Sequence, residues 1–125
     1  MADLSTTLAA VANAKTLKLT TTGRKSGQQR VAEIWFVVEG DHLLVQAGKN
    51  ARKGWLVNVK HHPEVALDIA GTKLRGRAIV ITDPAAAQRV IDLMRQKYWR
   101  AWLASWVGSQ IGAGVPVRVE GISRQ

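Results

Sequence analysis

Cationic and hydroxyl side chains crowd into one short stretch, Thr20-Thr21-Thr22-Gly23-Arg24-Lys25-Ser26-Gly27, with Arg30 just beyond it. Glycines bracket the basic insert, so the stretch reads as the turn of a hairpin. Backbone freed by glycine can point several N–H groups at one anion, and Arg24, Lys25 and Arg30 add charge. The chemistry on offer is capture of a phosphate or a carboxylate tail. A solvated basic turn is the other reading of the same residues. The G-x-x-x-x-G-K-[ST] spacing of a nucleotide-binding P-loop is absent. A second small-and-basic stretch, Gly48-Lys49-Asn50-Ala51-Arg52-Lys53-Gly54, follows a later strand. If the two loops leave one end of adjacent strands, they frame a groove for an extended anionic ligand; otherwise they are two unrelated solvated loops.

Other chemistry-bearing residues are less telling. Trp99, Trp102 and Trp106 are three and four residues apart, one stripe of a helix that also carries Tyr98 and Arg95. Such a stripe serves core or subunit packing, or forms an aromatic wall beside a planar ring. His61 and His62 are adjacent, so their side chains diverge, and His42 stands apart; no metal site is expected. Glu33 and Asp68 are strand carboxylates expected to face solvent. No order of Ser, His and Asp suggests a nucleophile, so no catalytic side chain is assigned.

The totals bound the rest. The chain has 125 residues, taken as a single domain over 1–125, with 46% apolar and 22% charged residues. That is an ordinary globular balance. Eighteen Lys and Arg against nine Asp and Glu give a net charge of +9, which points to an anionic partner. Aromatics are not interleaved with the basic loops and no nucleic-acid-binding signature appears, so no nucleic acid is expected. Cysteine is absent, which removes disulfides and thiolate chemistry and suits the cytoplasm. No apolar run reaches membrane-span length, and no stable membrane insertion is expected.

The elements that must position these residues follow from periodicity. A helix is expected over Ser5 to Asn13, with Ser5 as N-cap. Thr16 to Thr22 alternates as a half-buried strand, Val31 to Val38 reads as a strand covered on both faces, and Leu43 to Ala47 completes a meander. Trp55 to Lys60 is a short helix stopped by Pro63. Val65 to Ile69 and Leu74 to Thr82 are strands about a turn at Ala70 to Lys73. Asp83-Pro84 starts a long helix running to about Val107, with Gly108 as its stop. Val115 to Glu120 closes the chain as a strand. Six mostly antiparallel strands with flanking helices make an α+β protein built on a small β-barrel.

At this point the motifs match a known pattern. Leu19 to Arg30 resembles the hairpin of the deazaflavin (F420)-dependent nitroreductase family, part of the split β-barrel superfamily that includes the pyridoxamine-phosphate-oxidase-like proteins. The segment Trp55-Leu56-Val57-Asn58-Val59-Lys60-His61-His62-Pro63-Glu64-Val65 is similar to its W-x-x-N-x-x-x-x-P-x-V motif, and Val115 to Val119 to its closing strand. The resemblance implies an F420-dependent oxidoreductase with a quinone- or nitroaromatic-like acceptor, in which the cofactor does the chemistry and the protein positions it. It implies that Arg24, Lys25, Ser26, Gly27 and Arg30 meet the cofactor's phosphate and oligoglutamate tail. Ala47, Gly48 and Lys49 would lie near the ring, and Lys53, Gly54, Trp55 and Asn58 near the ribityl phosphate. Trp35, Trp99 and Trp102 would line the substrate side. FMN is the alternative cofactor, and a non-catalytic flavin, haem or lipid-like binder the alternative function. A homodimer is expected from the tryptophan stripe and the habit of the superfamily.

Overall fold

The structure is a computed structural model describing residues 4–23, 27–47, 54–99 and 115–124. Alternating apolar residues build its sheet. In β1 (Leu17–Thr22), Leu17, Leu19 and Thr21 turn inward; in β5 (Glu64–Ile69), Val65, Leu67 and Ile69 do the same. The other strands are β2 (Gln29–Ile34), β3 (Phe36–Glu39), β4 (His42–Ala47), β6 (Thr72–Val80) and β7 (Val115–Arg124). Their order is β2-β1-β5-β6-β7-β4-β3, and every neighbouring pair is antiparallel.

The first and last strands of that order, β2 and β3, are separated in the chain only by Trp35. The sheet therefore curls round until its two edges meet as one bent strand, the split barrel expected from the sequence. Seven strand segments appear instead of six because the break at Trp35 divides the expected Val31–Val38 strand. Inside lie Leu19, Phe36, Leu43, Val45, Leu67, Ile69, Leu74, Val117 and Val119, all nearly inaccessible. Leu8 of α1 (Leu4–Val11) and Trp55, Leu56 and Val59 of α2 (Trp55–His61) join this core.

A second, smaller apolar layer forms outside the barrel. There α3 (Pro84–Lys97) packs Val90 and Met94, with Tyr98 just beyond, onto Val37 and Leu44. Its start is the expected one: Asp83 caps it by accepting a 2.9 Å hydrogen bond from the Ala86 N–H, with Pro84 in the first turn.

Several expectations need correction. Ser5 is inside α1, not its cap, because the helix begins at Leu4. The strand expected to be covered on both faces is one-sided in its first half. Ala32 and Ile34 pack against the core, but Val31 faces out and is 64% exposed. α3 does not run on to Val107. It ends at Lys97, with Tyr98 out of helical conformation (φ −112, ψ 30). The Tyr98 hydroxyl is held by backbone groups at Lys15 and Phe36, which fixes this residue to the sheet rather than to a longer helix. Residues 100–114, with Trp102 and Trp106 of the stripe and Gly108, lie outside the described residues. β6 begins at Thr72, leaving a two-residue turn of Ala70 and Gly71, and β7 extends four residues past Glu120.

Candidate functional site

Across four successive antiparallel pairings, β1 to β5 to β6 to β7 to β4, the strand direction reverses four times. β1 and β4 thus run the same way, and Thr22 and Ala47 finish at one end of the barrel. Both basic loops leave from that end. The two strands are not neighbours, contrary to the sequence reading; the bent β2–β3 strand runs between them.

One buried contact ties the loops' anchors together. The Asn58 side-chain amide donates to the Thr21 hydroxyl at 3.1 Å, and both residues are at most 4% exposed. Thr21 precedes the hairpin, and Asn58 is one turn into the helix that follows the second loop. Trp55 is buried in the core beside it, with Gly54 at the helix start.

At the hairpin, the Gly23 N–H donates to the Gln28 carbonyl at 2.7 Å and the Gly27 N–H to the Gly23 carbonyl at 3.1 Å. Gly27 sits at φ +71, where a side chain would be strained. These two N–H groups close the turn, so they are not free for an anion. Arg30 is exposed and forms no ion pair among the described residues. Arg24, Lys25, Ser26, Gly48, Lys49, Lys53 and Trp102 lie outside the described residues.

Sequence reasoning missed a second feature of the same region. Pairing Phe36 with Val45 places Trp35 beside Gln46, one residue before Ala47, on the barrel's outer face. Trp35 stacks on Tyr98 with ring centroids 4.2 Å apart and planes 7° from parallel. Gln46 Nε2 is buried there with no hydrogen-bond acceptor among the described residues. Arg118, its diagonal neighbour across the β4–β7 pair, lies with Nε 3.0 Å from Glu120 but out of line for a hydrogen bond. Buried donors without acceptors are costly, so each needs a reason. Gln46 gave no signal in the sequence, because a lone glutamine in a strand looks like any solvated residue.

Nearby, the Lys97 ammonium donates to the Phe36 carbonyl at 2.9 Å and sits 3.6 Å above the Phe36 ring. Burial pushes this lysine down to about 8. The Tyr98 hydroxyl gives its proton to the Lys15 carbonyl at 2.6 Å and accepts from the Phe36 N–H at 3.2 Å. Burial raises its pKa. At the opposite end, burial would raise the Glu39 carboxyl, but hydrogen bonds from Arg89 and His42 outweigh it and the net shift is down. Glu33 is exposed and Asp68 accepts from the Gly71 N–H, as structural carboxylates do. No metal-binding group of His, Asp and Glu exists among the described residues, and no helix among them is long and apolar enough to cross a membrane.

Among the described residues this end of the barrel offers stacked aromatic rings, a buried amide donor and the exposed cation Arg30, and no paired acid and base. Comparison with known proteins fits that description. A model of the F420H2-dependent quinone reductase family matches residues 3–121. Among solved structures, an F420-H2-dependent reductase, FDR-A, is 23% identical over 85% of this chain and 94% of its own, with a TM-score of 0.66. An F420 reductase is 19% identical over 94% and 96%, TM-score 0.63. The haem storage protein HutZ of Vibrio cholerae is 17% identical over 98% and 95%, TM-score 0.69. At these identities the structural likenesses speak for the fold alone.

Proposed function

The chain belongs to the F420H2-dependent quinone reductase family, and from that premise we propose that it passes hydride from reduced F420 to a small organic acceptor, a quinone or a nitroaromatic. The observation that carries this reading is the common end of β1 and β4. An elongated cofactor with a charged tail uses two basic loops at one end of a barrel; FMN, with one phosphate, uses one. Arg24, Lys25, Ser26, Gly27 and Arg30 hold the tail, Lys49 lies by the ring and Lys53 by the ribityl phosphate. Trp55 and Asn58 are buried, so with Gly54 they act by placing the second loop, not by reaching the ligand.

The residues at the strand end fit the ring. Gln46 Nε2, a buried donor without an acceptor among the described residues and beside Trp35 and Ala47, suits a carbonyl of a pyrimidinedione. F420 supplies the hydride when bound. The chain's part is to fix the ring's plane near Ala47 and Gly48, to flank the acceptor with Trp35, Trp99 and Trp102, and to keep water from the transfer. Trp99 is 52% exposed and Val31 64%; such apolar surface also supports a homodimer.

The test is a binding titration with F420, FMN and FAD, followed by turnover of reduced F420 with quinone and nitroaromatic acceptors. F420 should bind best, and salt should weaken it because the tail contacts are between charges. Arg24→Ala with Lys25→Ala should raise its Kd roughly tenfold or more, at about 1 kcal/mol per charged contact. Tight FMN binding without F420 binding sinks the assignment.

A further inference from the structure

β2, β1, β5 and β6 stand side by side, and their register arranges the outward residues in rows. One row reads Glu33, Lys18, Asp68, Lys73. The next reads Val31, Thr20, Ala66, Arg75. α3 packs elsewhere, over Val37 of β3 and Leu44 of β4, while Leu8 of α1 and Trp55, Leu56 and Val59 of α2 turn into the core. Every residue of the two rows is exposed or half-buried.

Three properties of this face point to a second copy of the same chain. The first row alternates in sign, yet none of its four charges closes an ion pair among the described residues. Asp68 holds only the Gly71 N–H of its own turn. The outside of a curled sheet is convex, so opposite charges on neighbouring strands fan apart and keep their heads for something beyond the sheet. Second, a row of alternating sign complements itself when it is reversed. A two-fold axis parallel to the strands, between β1 and β5, sets Glu33 against the partner's Lys73 and Lys18 against the partner's Asp68. Third, the same rotation covers apolar surface. It sets Thr20 against the partner's Ala66, and Val31, 64% exposed, against the stem of the partner's Arg75. The head of Arg75 is already held, its Nε donating to the Ser123 hydroxyl at 3.2 Å, which leaves the stem along the face.

We propose that the outer face of β2, β1, β5 and β6 is a two-fold interface between copies of this chain, with Glu33 paired to the partner's Lys73 and Lys18 to the partner's Asp68. Two chains of net charge +9 repel each other over most of their surfaces. These two rows hold three cations and two carboxylates, so here the repulsion is nearly cancelled and the residual pattern is attractive. A polyanion would meet both carboxylates and gains little from this face. The interface holds whether or not the chain binds F420.

The experiment is sedimentation equilibrium of the full chain over a concentration series at physiological salt. The parent should approach twice the 13.6 kDa of one chain. Glu33→Lys and Lys73→Glu each turn two contacts per dimer from attraction to repulsion, and each should raise the dimer Kd roughly tenfold or more. Mixed in equal amounts, the two variants should dimerise again, because each supplies the charge that the other has lost. Both positions are exposed, so both variants should keep the fold, which circular dichroism checks. If either does not fold, Glu33→Gln and Lys73→Gln decide: each should weaken the dimer, and their mixture should stay weakened. A parent that is monomeric at every concentration, a dimer unchanged in either variant, or a mixture of folded charge-reversed variants that stays monomeric overturns the proposal. The second of these outcomes would place the contact between copies on another face.

Discussion

Asn58 reaches across from α2 to donate a buried hydrogen bond to the hydroxyl of Thr21 in β1. The bond joins the helix after one basic loop to the strand before the other, so the spacing of two charge clusters depends on it. Asn58→Ala leaves Thr21 without its donor and should cost about 1–3 kcal/mol of stability. It should also raise the Kd for F420 with no cofactor-facing charge removed. Thr21→Val with Asn58→Ala should cost less than the two single changes added, because the pair is then removed as a unit. Denaturant melts with cofactor titrations on the same four proteins measure both effects, and strict additivity refutes the coupling.

The β5–β6 turn holds a local strain that can be relieved. Ala70 has φ +52 and Gly71 φ +91, the two positive values of a type I′ hairpin turn. Alanine pays a steric penalty there that asparagine largely avoids. Ala70→Asn should stabilise the protein by about 0.5–1 kcal/mol. A urea midpoint equal to or below that of the parent contradicts the turn geometry.

Much of this architecture was legible because it rests on local chemistry. Asp83-Pro84 announces α3, and the alternation at Leu17 and Leu19 the first barrel strand. What failed to show depends on distant partners. A run from Val31 to Val38 has the same hydrophobicity whether or not it bends at Trp35. Only the closure of the sheet leaves Val31 outside and Ala32 inside. The stop of α3 at Lys97 is likewise set by Lys15 and Phe36, more than sixty positions away in the chain. At the candidate site the basic loops were visible as composition, whereas Gln46 became notable only once burial left its amide without an acceptor among the described residues.

Lys97 gives a pH signature. Burial lowers its folded-state pKa to about 8 from an ordinary 10.5, while the Phe36 ring and carbonyl favour the charged form. Below pH 8 both folded and unfolded chains hold this proton, so its contribution does not vary with pH. Between about 8 and 10.5 the unfolded chain binds more protons than the folded one, so stability rises with pH in that window. Lys97→Met keeps most of the contact with Phe36 and abolishes the titration. Wild-type stability minus that of the variant should be flat from pH 6.5 to 7.5 and climb toward pH 9.5. Readings stop there because Tyr98, whose pKa burial raises, contributes the opposite slope at higher pH. A difference that falls over the same range would mean that the ring and carbonyl outweigh burial.

Trp35 separates acceptor binding from cofactor binding. It stands at the break between β2 and β3, stacked on Tyr98 and beside Gln46. If it flanks the acceptor, Trp35→Leu removes an aromatic contact worth about 0.5–1.5 kcal/mol, or roughly two- to tenfold in binding. The KM for quinone should then rise by that factor, while the Kd for F420 stays within about twofold. Trp35→Phe should recover most of the loss by keeping a ring against Tyr98. The Arg24 and Lys25 changes should show the reverse pattern, raising the F420 Kd and leaving the acceptor KM unchanged at saturating cofactor. Because one pair of contacts is charged and the other aromatic, salt should act on the first alone. An F420 Kd that rises in step with the quinone KM in Trp35→Leu would place this tryptophan on the cofactor and leave the acceptor side to other residues.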